Sequence, residues 1–185
     1  MGWRRNKKER RATRALNTMK LKPYVLNFIE SNFPKGSIIL ELGSGKGTED
    51  LINAGFGVFS IEHDPEWVDM YHDNYIEAPL VNLSKEDNPL WWYDPECLKD
   101  KLPKIYHLLL IDGPTGKGDD YENCRLGILE NLDLFNRNVC ILVDDTDRPQ
   151  EKKLFEILSE GRQFKDHGSF GMIWGDTDKK IQEEL

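Results

Sequence analysis

Cysteine is scarce. Of 185 residues only Cys97, Cys124 and Cys140 carry a thiol, an odd number with no C-x-x-C pair. That argues against a disulfide framework and against a zinc ribbon, and it suits a reducing compartment. The four histidines are scattered without metal-ligand spacing. Long apolar runs are missing as well: no stretch approaches the roughly 20 apolar residues a membrane helix needs. The N-terminal stretch is basic but has no apolar core behind it, unlike a secretory signal, and Asn6 stands where a myristoylation site on Gly2 wants Ser or Thr. A water-soluble, cytoplasmic protein without a membrane partner is therefore expected. Internal repeats and low-complexity segments are also absent.

What the chain does have is charge, unevenly placed. Residues 1–22 hold nine Lys or Arg against one Glu, so of 25 basic and 33 acidic residues 16 and 32 remain for the body, which carries −16. A basic arm on an acidic body has two readings. It grips nucleic acid or an anionic surface, or it is a solvated tail that folds back on its own body. The arm has few aromatics for base stacking beyond Trp3, which favours the second. The length is that of one ordinary domain, enough to bury most of its apolar surface in a single core.

Hydrophobic periodicity orders the body. Tyr24, Val25, Phe28 and Ile29 fall at helical spacing within Leu21 to Phe33, and Pro34 blocks continuation. A buried-strand run, Ile38 to Leu42, is followed by a glycine-rich turn and a helix from near Thr48. Val58 to Ile61 is a second strand, and a helix after Pro65 would place Trp67, Val68 and Tyr71 on one side. Leu80 and Val81 suggest a short third strand, Tyr106 to Ile111 a fourth and Val139 to Val143 a fifth. A helix from about Tyr121 to Phe135 carries Leu126, Leu129, Leu132 and Leu134. Another, from about Gln150 to Glu160, leads into strand-like runs around Phe164 and Phe170 to Trp174, separated by Gly168 and Ser169 as a Gly-X hairpin turn. Alternating strands and helices predict an α/β fold: a three-layer Rossmann-like sandwich with a mostly parallel seven-stranded sheet ending in an antiparallel hairpin.

The most informative segment is IILELGSGKGT, Ile38 to Thr48. Gly43, Gly45 and Gly47 lie directly between a strand and a helix, where small residues let a backbone approach a ligand and leave helix N–H groups pointing at it. A phosphate-binding loop would need a glycine where Leu40 stands, inside the strand. A dinucleotide fold would place its third glycine at Thr48, although Gly47 blurs the register. The remaining pattern, E/D-x-G-x-G-x-G, is matched in full by Glu41, Gly43, Gly45 and Gly47. It resembles the first motif of class I S-adenosylmethionine-dependent methyltransferases. That resemblance implies S-adenosylmethionine as cofactor, held by the loop Gly43, Ser44, Gly45, Gly47 and Thr48, with the Glu41 carboxylate near the cationic methionine part. It also implies that Glu62, at the end of the second strand, accepts the ribose hydroxyls. His63 is either a further contact with adenosine or a helix cap.

Strand four ends in Ile111-Asp112-Gly113-Pro114 and strand five in Val143-Asp144-Asp145. In the expected topology these ends converge beside the ligand, which adds Asp112 to the cofactor-binding set. Three clustered carboxylates suit a hard cation such as Mg²⁺, which would hold two substrate hydroxyls and lower the pKa of one for attack on the methyl group. The competing reading is that Asp112 orders a turn while Asp144 and Asp145 cap the next helix. The arrangement is similar to cation-dependent O-methyltransferases, and IDGP followed by Arg125 resembles polysaccharide methyltransferases of the glucuronoxylan group. The resemblance spans about residues 36 to 175 in topology. Asp112, Asp144, Lys117 and Arg125 are the candidate catalytic residues, and Asp112, Asp144 and Asp145 the candidate metal ligands. The loop from Thr115 to Asn123 is expected to close over substrate, where Lys117 and Arg125 would bind an anionic acceptor. Trp91 and Trp92 either stack on a ring or pack in the core. The charge distribution marks a basic arm over 1–20, and the resemblance implies a methyltransferase domain over 21–185, methylating a small hydroxylated or saccharide acceptor. Methylation of RNA or another polyanion, and a non-catalytic scaffold, are the alternatives.

Overall fold

Five residues, Ile38–Leu42, form β1, and four of them are buried because the strand has parallel neighbours on both edges. The chain, described here by a computed structural model over residues 20–85, 89–115 and 124–175, reaches β1 through helix α1, Pro23–Asn32. After β1 come α2 (Lys46–Asn53), β2 (Gly57–Glu62), β3 (Tyr75–Glu77), β4 (Leu80–Asn82), β5 (Trp91–Tyr93) and the short α3 (Pro95–Leu98). Then follow β6 (Leu108–Ile111), a 3-10 segment (Cys124–Leu134), β7 (Cys140–Asp144), α4 (Pro149–Ser159), β8 (Phe164–Asp166) and β9 (Phe170–Ile173).

Seven strands make one sheet in the order β3-β2-β1-β6-β7-β9-β8. The first five are parallel, and β9 runs antiparallel to both β7 and β8. Successive side chains of a strand face opposite sides, so each strand feeds two cores. Ile39, Leu108, Leu110, Cys140, Leu142 and Met172 join Val25, Ile29 and Leu51 on one face, beneath α1 and α2. Leu40, Leu42, Leu109, Ile111, Ile141, Val143 and Ile173 join Trp92, Ile128, Leu154 and Phe155 on the other. The three-layer Rossmann-like sandwich with its terminal hairpin is therefore as expected. The hairpin turn is too: the His167 N–H donates to the Phe170 carbonyl at 3.0 Å, and Gly168 takes φ +85° between them.

Local expectations fail in three places. The third strand of the sheet is Tyr75–Glu77, with Ile76 its single buried residue; Leu80–Asn82 instead pairs antiparallel with Trp91–Tyr93 as a separate ribbon. Three residues with one apolar side chain carry too little periodicity to stand out. The stretch after Pro65 is a series of turns, and Asp69 adopts φ +56°, a left-handed conformation that ends any helix. The leucine-rich segment is 3-10 from Cys124 to Leu134, broken at Asn131, and its buried residues are Cys124, Arg125, Gly127, Ile128 and Asn131, while Leu126, Leu129, Leu132 and Leu134 are only partly buried. The start of that predicted helix, at 121–123, lies outside the described residues. Trp92 is fully buried, and Gly127 exists as glycine because a Cβ there would meet the Trp92 Cβ at 2.5 Å and its indole ring at 2.8 Å. Trp92 is thus a core residue with no access to a ligand. Among the described residues no helix is long and apolar enough to cross a membrane.

Candidate functional site

The strand order reverses between β1 and β6, and ligands in open α/β sheets sit outside the carboxyl ends of strands at such a switch point. A pocket of about 360 Å³ opens there. It is lined by Glu41, Gly43, Ser44, Gly45 and Gly47 from β1 and its loop, by Glu62, His63, Asp64 and Trp67 after β2, by Asp112, Pro114 and Thr115 after β6, and by Asp144, Asp145 and Arg148 after β7. Lys20, Lys22 and Arg125 complete it. The sheet brings together every candidate residue of the loop and strand ends except Thr48, which lies buried just beneath. Lys117 lies outside the described residues.

The glycine loop is built from hydrogen bonds on its own body. Thr48 Oγ1 donates to Glu41 Oε2 at 2.8 Å and accepts the Gly45 N–H at 3.0 Å. Ser60 Oγ donates to the same Glu41 oxygen at 2.8 Å. Burial outweighs these bonds and pushes the Glu41 carboxyl up to about 8. Gly43 takes φ +89° and packs against Gly113, where a Cβ would come within 2.6 Å of the Gly43 Cα. The two loops that flank the switch point touch through this glycine pair.

Glu62 braces the second loop. Its Oε1 accepts the N–H groups of His63 at 2.7 Å and Asp64 at 2.8 Å, and its Oε2 accepts the Ser44 N–H at 2.8 Å. His63 Nδ1 lies 3.0 Å from Oε1. The Ser44 hydroxyl in turn shares hydrogen bonds with Thr48 at 3.1 Å and with Tyr75 at 2.7 Å.

The third wall is a charge cluster. Arg125, only 5% exposed, donates from Nη2 to the Asp112 carbonyl at 2.7 Å, and that nitrogen lies 3.3 Å from Asp112 Oδ1 and 3.2 Å from Asp145 Oδ2. Its Nη1 donates to the Asp144 carbonyl at 3.1 Å, and Nε lies 3.7 Å from Glu151. Lys22 Nζ stands 2.8 Å from Asp145 Oδ1 and 3.6 Å from Asp144 Oδ1. Arg148 reaches Asp145 Oδ2 at 3.1 Å. The carboxylates respond differently. Enclosure pushes Asp112 up to about 7, with Arg125 opposing and Asp144 and Asp145 adding to the rise. Burial also raises Asp144. At Asp145 burial is outweighed by the hydrogen bond from Lys22 and by Arg125 and Arg148, which hold it below the ordinary value.

Arg125, expected to bind an anionic acceptor, is an interior cation at the head of the 3-10 segment, fixed by two backbone carbonyls. Side-chain capping of α4 by Asp144 or Asp145 is not observed; its N-cap, Arg148, makes no side-chain cap bond. Carboxylate oxygens of Asp112, Asp144 and Asp145 lie within 4.8 Å of one another, a donor set of the kind a hard cation takes. Lys22, Arg148, Tyr75 and Ser60 were not legible as site residues. Lys22 counted only as one charge in a basic run, and no local spacing ties residue 22 to residues 144 and 145.

No protein-family model and no curated protein sequence matches the chain. Similar solved structures include the MycE methyltransferase from the mycinamycin biosynthetic pathway, in complex with Mg and SAH, at 12% identity and TM-score 0.49 over 91% of this chain and 48% of that one. They also include a TehB-like SAM-dependent methyltransferase from Corynebacterium glutamicum, at 13% identity and TM-score 0.45 over 94% and 97%. The chain spans about half the length of the MycE protein.

Proposed function

We propose that the chain is an S-adenosylmethionine-dependent methyltransferase acting on a hydroxyl group of a small or saccharide acceptor. One observation carries this reading: Glu41, the glycine loop, Glu62 and Asp112 border a single cavity at the switch point, of a size that suits a nucleoside-sized ligand. Glu62 Oε2, engaged by one backbone N–H, keeps a lone pair for a ribose hydroxyl. Glu41 lies where the cationic methionine part would rest, and a neighbouring positive charge favours its ionised form.

Asp112 is the proton acceptor in this reading. Bound S-adenosylmethionine would supply an electrophilic methyl group and depart as the neutral thioether, and the Asp112 carboxylate would take the proton that the acceptor hydroxyl gives up as its oxygen gains the methyl group. Arg125 holds Asp112 by backbone and side chain together. In a metal-loaded form Asp112, Asp144 and Asp145 would instead hold Mg²⁺, which supplies Lewis acidity toward an acceptor hydroxyl, and Asp112 would then be a ligand and not the proton acceptor.

Parallel calorimetric titrations with S-adenosylmethionine, S-adenosylhomocysteine, NAD and ATP test the cofactor. The two sulfur compounds are expected to bind; preference for NAD or ATP would end the proposal, and no binding at all would favour a scaffold. A polyanionic acceptor is favoured by one feature, the presence of Lys20, Lys22 and Arg148 on the same pocket. It requires salt-sensitive RNA binding that disappears on deletion of residues 1–20.

A further inference from the structure

We propose that Lys22 is the resident cation of the acidic cluster, and that a divalent metal ion reaches Asp112, Asp144 and Asp145 only by displacing its ammonium group. The inference is independent of methyl transfer, because it concerns which cation the carboxylates hold.

Three observations place the ammonium there by construction. Leu21, 4% exposed, is anchored against Gly47, where a Cβ would come within 2.9 Å of the Leu21 nitrogen. Pro23 opens α1 directly after Lys22, whose extended backbone (φ −62°, ψ 136°) caps the helix and whose carbonyl accepts the Val25 N–H at 2.9 Å. Held on both sides, Lys22 points into the mouth of the pocket and sits 2.8 Å from Asp145 and 3.6 Å from Asp144.

The cations of the cluster are not equivalent. Arg125 is 5% exposed and tied to two carbonyls, so it stays. The Lys22 side chain is 30% exposed on a flexible stem, so it can leave without unfolding anything. A ligand position already exists for its replacement. Asp144 Oδ1 is buried and accepts no hydrogen bond among the described residues, its nearest cation being the Lys22 ammonium at 3.6 Å. An ion held by the three carboxylates would meet the Lys22 ammonium beside Asp144 Oδ1 and Asp145 Oδ1, whereas Arg125 and Arg148 contact Asp145 at its other oxygen, Oδ2.

The test is Mn²⁺ binding, read from the free-ion electron paramagnetic resonance signal, on the full chain and on Lys22→Gln and Lys22→Arg. Lys22→Gln is expected to bind Mn²⁺ about tenfold more tightly or better, because a charge beside the site is gone, whereas Lys22→Arg stays as weak as the parent. Adding Asp144→Asn to Lys22→Gln should abolish the gain. Should Lys22→Gln melt early, Lys22→Met takes its place. Unchanged Mn²⁺ affinity in the neutral variant, or an equal gain in Lys22→Arg, overturns the proposal. Failure of the sulfonium titration would leave it standing, so the two readings fail separately.

Discussion

A β-carbon on Gly47 would lie 2.8 Å from the Cβ and 2.9 Å from the backbone nitrogen of Leu21. The third glycine of the loop is therefore required by the chain's own residues 21 and 22, which cross it and deliver Lys22. Gly47→Ala is expected to destabilise the fold by about 1–3 kcal/mol through overpacking against backbone. Urea denaturation measures this. A loss within experimental error would mean that the strap gives way freely.

Arg125 is the interior counter-charge of Asp112, Asp145 and Glu151. Replacing it by Met strips the cation from the buried Glu151 and the half-buried Asp112 and leaves Asp145 to Lys22 and Arg148, and a cost of about 3–5 kcal/mol is expected. Equilibrium unfolding at neutral pH gives the value. A change under about 1 kcal/mol, the size of a surface pair, would contradict this role.

Glu41 sets a pH dependence of stability. Its carboxyl is raised from 4.5 to about 8, so between those values the folded protein keeps a proton that the unfolded chain releases. The folded state binds more protons in that window, and its stability contribution falls as pH rises through it. Glu41→Gln removes the titration, so its melting temperature should gain on the parent between about pH 5 and pH 8. Parallel melting curves across that range would refute the assignment.

Under the methyl-transfer reading, Asp112 must be ionised to take a proton, and its carboxyl lies near 7. The rate kcat/KM is expected to rise with pH through that value and level off above it. Asp112→Asn should lower turnover by roughly 10²–10⁴ and erase the rising limb. Cofactor affinity should change much less, since Glu41, Glu62 and the glycine loop remain. A variant with an intact pH profile would remove Asp112 from the chemistry.

Much of the site was readable because its spacing is local. The glycines between Leu42 and Thr48, the acid at Glu62 and the carboxylates at Asp112, Asp144 and Asp145 all sit at strand ends, and strand ends follow from short apolar runs. The same rule located β1, β2, β6, β7 and the terminal hairpin. It missed β3, whose three residues bury only Ile76, and it read as helix the stretch that Asp69 breaks.

Sequence alone determined the strand–helix alternation and the strands β1, β2, β6 and β7, since apolar periodicity decides which residues must leave water, and that choice is made segment by segment. Tertiary structure alone decided the partners. That Leu21 needs Gly47, that Gly43 needs Gly113, and that Lys22 and Arg125 share the charge of Asp145 are contacts between residues far apart in the chain. Such pairings arise only when the sheet order brings separate loops to one edge, and no pattern within a single segment encodes them.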